Sequence, residues 1–392
     1  MMQASFPAAI PHMEVSGITS LKGYYESRRD ELRLTDRQIC RILNIDPKSL
    51  KPILDGSAKQ INLITIIKLG HFLGLSVDDI VRIYMPQMSP EQIGDIQHAK
   101  ETGYITRYFD IVSLQKENIL QKNVTSEQIC ARLCQFFGLE SIYDFSGHVF
   151  DYALSKTKRG KDTQMRDFWL KSAFYQFEHI ANPYPYDRAA LMEVVPKIKP
   201  YSRNEANGLS TVLRALYRVG VTVIYQQSFA KLQVRGATIA VNGKPCIVFS
   251  DINKMYPTLW FTLMHELHHV LFDFEDIKKQ QYHISDTAGD LFLMNEELAN
   301  DFARRYFVDD TRMKFIKPYL SAPLLVDRYA REWGIHPSII YAFHCFDTGE
   351  WKMFKRLIPS MNKALAEINT SPFSRETLME SVNEIKQSIY NL

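Results

Sequence analysis

The sequence is poor in cysteine and has no long apolar run, and both features restrict where the protein acts. Its 392 residues include five cysteines, an odd number without disulfide-like spacing: Cys40, Cys130, Cys134, Cys246 and Cys345. Free cysteines are typical of a reducing compartment. No apolar stretch reaches the ~18 residues of a membrane span, and the N-terminus lacks the pattern of a secretion signal. We therefore expect a cytoplasmic protein with no membrane partner.

The chain also lacks a strong excess of either charge. The formal net charge is +3, with 46% hydrophobic and 23% charged residues. This is ordinary globular composition, and the length is enough for two or three domains. Charge alone therefore requires neither nucleic acid nor a membrane surface as a partner.

One stretch carries the residues of a metal site. The segment FTLMHELHHVLF contains His-Glu-x-x-His as His265, Glu266 and His269. Residues four apart lie on one face of a helix, so the two imidazoles can bind one metal ion. Zn2+ suits such a site because it takes nitrogen and oxygen ligands and keeps one position open for water in catalytic sites. Glu266 lies beside these ligands, where its carboxylate can reach that water.

A second predicted helix, over residues 294–303, offers a third ligand. Glu296 would complete a His2Glu zinc site, and Asn300, one turn later, can hold a ligating histidine by hydrogen bonding. The alternative is a chance match to the motif, in which the histidines only pack against neighbours or cap a helix. The late acidic residue favours the metal site, because catalytic zinc needs three protein ligands.

Together the two motifs resemble the FTxxHExxH and ExxANxFA blocks of the ImmA/IrrE metallopeptidases. The corresponding segments here are FTLMHELHHVLF and EELANDFA, and the resemblance covers the range from Asn207 to Tyr341. It implies a zincin-like peptidase with thermolysin-like chemistry. In that chemistry the zinc ligands are His265, His269 and Glu296, and Glu266 is the general base. Members of this family typically cleave a repressor protein and thereby switch on genes.

His268 departs from the family, which usually has Gly at this position. It could be a surface residue, a substrate contact or a competing metal ligand. The following segment, residues 273–290, is expected to be a loop. Either Tyr282 or His283 in that loop could steady an oxyanion, although a lone loop histidine is more often solvated.

The N-terminal part has helical periodicity with clear helix starts. Thr35 with Gln38 three residues later predicts a capping box, and Asp46-Pro47 predicts an N-cap followed by proline at the first helical position. Helices are expected over residues 24–34, 35–43, 47–54, 63–73 and 77–83. Two helices joined by a short turn suggest a helix-turn-helix.

Residues 21–86 resemble the Cro/C1-type (XRE) domain, in LTDRQICRILNIDPKSLKPILDG and LITIIKLGHFLGLSVDDI. The resemblance implies binding to double-stranded DNA, with the start of the helix at Pro47 in the major groove and other side chains on phosphates. The residues expected to contact DNA are Arg37, Gln38, Lys48, Ser49, Lys51 and Lys59.

Two features weaken the expectation that this segment recognises bases in the DNA major groove. From Leu21 to Arg82 there are 11 Lys/Arg and 8 Asp/Glu, a net charge of only +3. Pro52 lies inside the expected recognition helix, where it removes one backbone hydrogen bond. The alternative is a helical bundle that binds a protein or forms a homodimer.

The middle of the chain is expected to be helical, with a linker over residues 86–104 that also contains short helical stretches, and with a basic loop over residues 156–161. That loop is either solvated or a contact for phosphate or a partner. Asn242-Gly243 predicts a hairpin between two apolar strands, and residues 221–225 predict another strand. The edge of this small sheet could pair with an extended peptide.

These patterns predict a mostly α, α+β protein with a helix-turn-helix bundle, a helical middle region and a zincin-like peptidase domain. The expected segments are a flexible N-terminus (1–20), the helix-turn-helix domain (21–86), a helical scaffold (87–203), the metallopeptidase core (204–310) and a C-terminal helical region (311–392).

Three functions fit this organisation. The first is a zinc endopeptidase that cleaves a repressor or similar regulator and is localised by its helix-turn-helix domain. The second is a DNA-binding transcriptional regulator or antitoxin-like protein whose metal site is structural or inactive, and the third is an interaction module. Glu266 favours the first function, because a structural zinc site needs no base beside its ligands.

Overall fold

The fold is known from a computed structural model of the chain. It describes residues 20–58, 60, 62–84, 90–146, 161–230, 232, 234–252, 254–286 and 296–390. The chain forms two compact units, Met1–Gly103 and Tyr104–Leu392. The larger unit carries the sheet and both metal-site motifs.

The smaller unit is a helical bundle. Its helices are α1 (Leu21–Glu31), α2 (Asp36–Leu43), α3 (Pro47–Leu54), α4 (Leu63–Leu73) and α5 (Val77–Tyr84). The predicted capping box of Thr35 and Gln38 is confirmed, as are the N-cap Asp46 and Pro47 in the first turn of α3. One apolar cluster fills the bundle, and its fully buried residues include Leu21, Ile39 and Leu69.

The short helical stretches expected within the linker over residues 86–104 are one continuous helix from residue 90 onward. Residues Pro90–Tyr108 form a single long helix, α6, which continues across the boundary between the two units. Pro90 is compatible with this helix because it lies at the first position, where its missing N–H has no helical partner. Neither Gly94 nor Gly103 ends the helix.

Helices precede the sheet in the larger unit. They are α7 (Ile111–Lys116), α8 (Ser126–Phe137), α9 (Lys161–Ile180), α10 (Arg188–Val194) and α11 (Gly208–Arg218). Gly138 ends α8 in the left-handed conformation, as its position after the apolar run predicts. The expected basic loop over residues 156–161 lies outside the described residues, except for Lys161 at the start of α9.

A four-stranded mixed sheet follows. Its strands are β1 (Thr222–Tyr225), β2 (Val234–Val241), β3 (Lys244–Phe249) and β4 (Tyr282–Asp286), in the spatial order β1-β3-β2-β4. The hairpin predicted at Asn242-Gly243 is confirmed, with both residues at positive φ. Strand β1 pairs with β3 in parallel, and β4 pairs with β2 in antiparallel orientation.

The motif helix α12 (Tyr256–His268) runs directly into a π-helical turn, His269–Asp273. Helix α13 (Phe274–Gln280) and strand β4 follow it, so the expected loop over residues 273–290 is wrong as far as residue 286. The sequence YHISD is short and half polar, and it becomes a strand because it pairs with β2, which local periodicity does not reveal.

The rest of the larger unit is helical. Its helices are α14 (Glu296–Phe307), α15 (Asp310–Ile316), α16 (Pro323–Glu332), α17 (Pro337–Thr348), α18 (Trp351–Phe354), α19 (Asn362–Leu365) and α20 (Leu378–Glu384), the last continued by a π-helical turn, Ile385–Tyr390. A single apolar cluster extends from Ile105 to Tyr390 and includes the buried faces of the sheet and of α12.

At the level of class, the prediction of a mostly helical α+β protein is confirmed. Across the described residues, every helix is too short or too polar to serve as a membrane span.

Candidate metal centre

Two helices bring the three predicted ligands together. His265 and His269 lie at the C-terminal end of α12 and in the turn after it, and Glu296 lies in the first turn of α14. The Nε2 atoms of the two histidines are 3.2 Å apart. Glu296 Oε2 is 3.3 Å from His265 Nε2, and Glu296 Oε1 is 3.5 Å from His269 Nε2. Both imidazoles are buried.

These separations match a tetrahedral zinc site. Zinc lies about 2.0–2.1 Å from nitrogen and oxygen ligands, so two ligands at the tetrahedral angle are about 3.3 Å apart. The three separations lie between 3.2 and 3.5 Å, with a different carboxylate oxygen of Glu296 nearest to each histidine. The donor set of two imidazoles and one carboxylate is also one that zinc accepts in catalytic sites. The residues present therefore fit a zinc ion.

Each histidine is held by a partner on its other nitrogen. His265 Nδ1 donates to Asn300 Oδ1 at 3.1 Å, and His269 Nδ1 donates to Asp273 Oδ2 at 2.8 Å. With the protons on Nδ1, the Nε2 lone pairs are left for a metal ion, which is the usual role of such partners. The sequence indicated Asn300 but not Asp273, although Asp273 lies four residues after His269.

The electrostatics of the centre favour a cation. Burial by itself would lower the pKa of His269, but hydrogen bonds to Asp273 and Glu296 and the nearby Glu266 carboxylate raise it to about 9. Burial by itself would raise the pKa of Glu296, but hydrogen bonds from His265, His269 and His283 hold it far below its ordinary value. The cluster therefore attracts positive charge strongly.

Glu266 is fully buried beside these ligands. Thr238 Oγ1 donates to Glu266 Oε2 at 2.7 Å, while Glu266 Oε1 has no hydrogen-bond partner within the described residues. A Cβ on Gly236 would lie 2.5 Å from that Oε1 and 3.0 Å from Thr262 Cγ2, so glycine leaves the space that the carboxylate occupies. A small cavity beside the centre is lined by Arg235, Phe261, Thr262, His265, Glu266 and Ser285.

Strand β4 contributes two side chains to the site: His283, which the sequence suggested only as an oxyanion contact or a solvated residue, and Ser285, which the sequence did not indicate. His283 is buried rather than solvated, and its Nε2 donates to Glu296 Oε1 at 2.7 Å. Ser285 Oγ lies 3.1 Å from His265 Nε2. Because β4 pairs with β2 so that His283 lies opposite Thr238, these side chains share the face of the sheet that meets α12. Only the pairing with β2 reveals this placement.

His268 lies between aromatic rings rather than on the surface. Its ring centroid is 4.8 Å from that of Phe272 and 5.5 Å from that of Phe302. Burial, together with the neighbouring His269, lowers the pKa of His268. Its Nδ1 is 3.6 Å from Asp273 Oδ2.

The residues expected to contact DNA lie in the smaller unit. Lys48, Ser49 and Lys51 are exposed on α3, and Arg37 and Gln38 are exposed on α2. Gln38 Oε1 accepts from the backbone N–H of Thr35 at 2.8 Å, so this side chain also caps its own helix. Lys59 lies outside the described residues. Helix α3 continues past Pro52 to Leu54.

Comparison of the chain with protein-family models, curated proteins and solved structures finds no match. The resemblances to the ImmA/IrrE and Cro/C1-type families therefore depend on the quoted motif residues, and the functions that they imply are proposals.

Proposed function

We propose that the protein is a zinc-dependent peptidase with Glu266 as its general base. The observation that supports this function is the convergence of His265, His269 and Glu296 within 3.5 Å of one another, with a buried carboxylate alongside. Catalytic zinc sites have three protein ligands and one open position, whereas structural sites have four. A structural site would also have no use for the buried Glu266 carboxylate, which costs free energy to desolvate.

In the proposed peptide hydrolysis the zinc ligands, Glu266 and Thr238 have separate roles. Zinc bound by the three ligands would supply a water of lowered pKa and polarise the substrate carbonyl. Glu266 Oε1, which has no partner among the described residues, takes the proton from the attacking water and passes it to the leaving amine. Thr238 holds the other oxygen, so the carboxylate keeps one orientation through both proton transfers.

The strand next to the centre suggests an extended peptide as substrate. Strand β4 is one of the two outer strands of the described sheet, and it carries His283 and Ser285 beside the ligands. An extended peptide can add to such an edge through its main chain, with little dependence on its sequence. The motif resemblance adds a repressor or similar DNA-binding regulator as the expected substrate.

Two variants test this function. Glu266→Gln is expected to keep zinc and to lose cleavage by about 10²–10⁴-fold, because it removes only the proton acceptor. His265→Ala is expected to lose the tightly bound zinc ion. Zinc per chain is measured by elemental mass spectrometry, and cleavage by the new N-termini that the purified protein generates in an extract of its cells.

His71→Ala is the matched control, because His71 is an exposed histidine of the smaller unit. It should retain both zinc and cleavage. Undiminished cleavage by Glu266→Gln would refute the assigned base, and an unchanged affinity for the tightly bound zinc ion in His265→Ala would refute the ligand set.

The exposed lysines of α3 favour a second function, binding of double-stranded DNA by the smaller unit. In this role the unit would bring the peptidase to a DNA-bound regulator, or would act alone if the metal centre were inactive. Lys48→Glu combined with Lys51→Glu should weaken binding to a duplex and reduce its salt dependence, because each lysine on a phosphate displaces a counterion. Fluorescence anisotropy at several salt concentrations measures both effects.

Zinc content is the control in the same double variant and should not change. Equal duplex affinity and equal salt dependence in the variant and the original protein would argue for a protein-binding bundle instead.

A further inference from the structure

A second group of potential ligands lies directly beside the proposed zinc site. His268, His269 and Asp273 each offer one ligand atom, and these atoms lie within 4.8 Å of one another. Asp273 Oδ2 is 2.8 Å from His269 Nδ1 and 3.6 Å from His268 Nδ1. The carboxylate thus faces one nitrogen from each of two successive histidines. His269 faces the first site with Nε2 and this group with Nδ1.

The unsatisfied nitrogen of His268 is an independent indication of a ligand. The residue is only 7% exposed, and its Nδ1 is buried without a hydrogen-bond partner in the described parts of the chain. Burying a polar atom without a partner costs about 1–3 kcal/mol. The rings of Phe272 and Phe302, at 4.8 and 5.5 Å between centroids, offer this nitrogen no oxygen or nitrogen partner.

We propose that His268 Nδ1, His269 Nδ1 and Asp273 form a second zinc site that shares the His269 imidazole with the first. Two imidazole nitrogens and one carboxylate oxygen are ligands that zinc accepts. The shared ring would then hold one ion on each of its nitrogens. This proposal does not depend on peptidase activity.

Binding at the second site requires a proton to leave. His269 Nδ1 donates its hydrogen to Asp273 in the described structure, and a metal ion on that nitrogen replaces this proton, which passes to solvent. Asp273 at the same time exchanges the hydrogen bond for a bond to the metal. Both changes, and repulsion from an ion at the first site, make the second site the weaker one.

The test counts zinc ions on the full-length chain. Zinc alone is titrated against a chromophoric chelator, and the number of ions and their dissociation constants are determined. The unmodified protein should bind two ions, the second at least 10-fold more weakly than the first. His268→Phe keeps an aromatic ring between Phe272 and Phe302 but removes the nitrogen, so it should lose the weaker ion and keep the tighter one.

Two further variants make each result decisive. Glu296→Gln removes a ligand of the first site only and should keep the weaker ion. His268→Gln provides a second way to remove the imidazole if the phenylalanine variant does not fold, as judged by circular dichroism in the presence of a chelator. Loss of the weaker ion in either foldable His268 variant supports the second site.

The outcomes also separate this proposal from the first site. Identical zinc titrations of the His268 variants and the unmodified protein would overturn the second site. A single ion that Glu296→Gln retains and the His268 variants lose would instead support the second site and refute the first.

Discussion

At the scale of the residue, one side-chain hydrogen bond among the described residues orients the Glu266 carboxylate. Thr238 Oγ1 donates to one carboxylate oxygen, and the side chain is fully buried. A buried acceptor that loses its donor retains the full cost of desolvation, about 1–3 kcal/mol and more for a charged group. Replacing Thr238 by a residue of the same shape without a hydroxyl should therefore destabilise this region.

Thr238→Val keeps the shape of the side chain but removes the donor. We expect it to lower the free energy of unfolding by about 1–3 kcal/mol at neutral pH, because both oxygens of Glu266 then lack a partner. Urea denaturation of the metal-free protein measures the change.

Thr238→Ser is the matched control, because it removes a methyl group but keeps the hydroxyl. It should be less destabilised than the valine variant. If the serine variant were the less stable of the two, packing rather than the hydrogen bond would be the main contribution of Thr238.

The residues that could be predicted from the sequence are those whose spacing lies within one helix. His265, Glu266 and His269 follow from a four-residue period, and Asn300 follows from Glu296 in the same way. Thr238 could not be assigned, and the contact of His283 with Glu296 could not be predicted, because both side chains reach the centre through the pairing of β2 with β4 and the packing of the sheet on α12. No local pattern encodes that pairing.

At the scale of the element, helix α17 begins with a titratable cap. His336 is its N-cap residue, and His336 Nδ1 accepts from the Ser338 N–H at 3.2 Å. His336 Nε2 donates to Glu205 Oε1 at 3.2 Å. Burial lowers the pKa of His336, and Arg203 lowers it further, while Glu205 and Asp327 partly oppose this. The ring of Tyr256 also lies against the imidazole, 5.2 Å between centroids.

The lowered pKa gives a definite direction to the pH dependence. The unfolded chain takes up a proton at His336 near pH 6.5, before the folded chain does. The contribution of neutral His336 to stability is therefore complete above about pH 6.5 and is lost as the pH falls toward the lower pKa of the folded state. Protonation of Nδ1 would also remove the acceptor that caps α17.

His336→Asn should remove this dependence while keeping a capping oxygen. We expect the stability difference between pH 7.5 and pH 5.5 to be smaller in the variant than in the original protein. Urea denaturation of both proteins at the two pH values provides the measurement. Parallel loss of stability in both proteins would exclude His336 as a contributor.

Element boundaries could be predicted well where capping residues define them, as for Thr35 and Asp46. Element boundaries could not be predicted where tertiary contacts determine them. Pro90 and Gly94 suggested a linker, yet they lie in the long helix α6. The segment Tyr282–Asp286 suggested a loop, yet it is a strand because β2 supplies its hydrogen-bond partners.

At the scale of the whole molecule, the chain has two large apolar cores. One extends from Leu21 to Tyr84 and the other from Ile105 to Tyr390. Contacts within the second core join distant residues, as where Tyr390 Oη donates to the Val223 carbonyl at 2.7 Å. Such long-range contacts explain why composition and periodicity suggested the helical content of this part but not how its segments assemble.

Two cores, with the proposed zinc ligands in only one of the two units, predict a selective effect of zinc on unfolding. Calorimetry should show two unfolding transitions. Zinc at 100 times its dissociation constant should raise the free energy of unfolding of the larger unit by about 2.7 kcal/mol and leave that of the smaller unit unchanged. Removal of zinc by a chelator should reverse the shift.

Leu69→Ala identifies the other transition, because Leu69 is fully buried in the smaller core and the substitution costs about 2–5 kcal/mol. It should lower the transition of the smaller unit and leave the response to zinc unchanged. One transition that responds to both zinc and Leu69→Ala would mean that the units unfold together.

The proposed ligands come from two helices, α12 and α14, and the strand that borders the centre lies between them in the sequence. An ion bound there would close that part of the chain into a ring, as a disulfide does in a secreted protein. Unlike a disulfide, such an ion could be removed by a chelator without any redox chemistry. The availability of metal would then determine the stability of the edge strand β4 as well as the proposed catalytic activity.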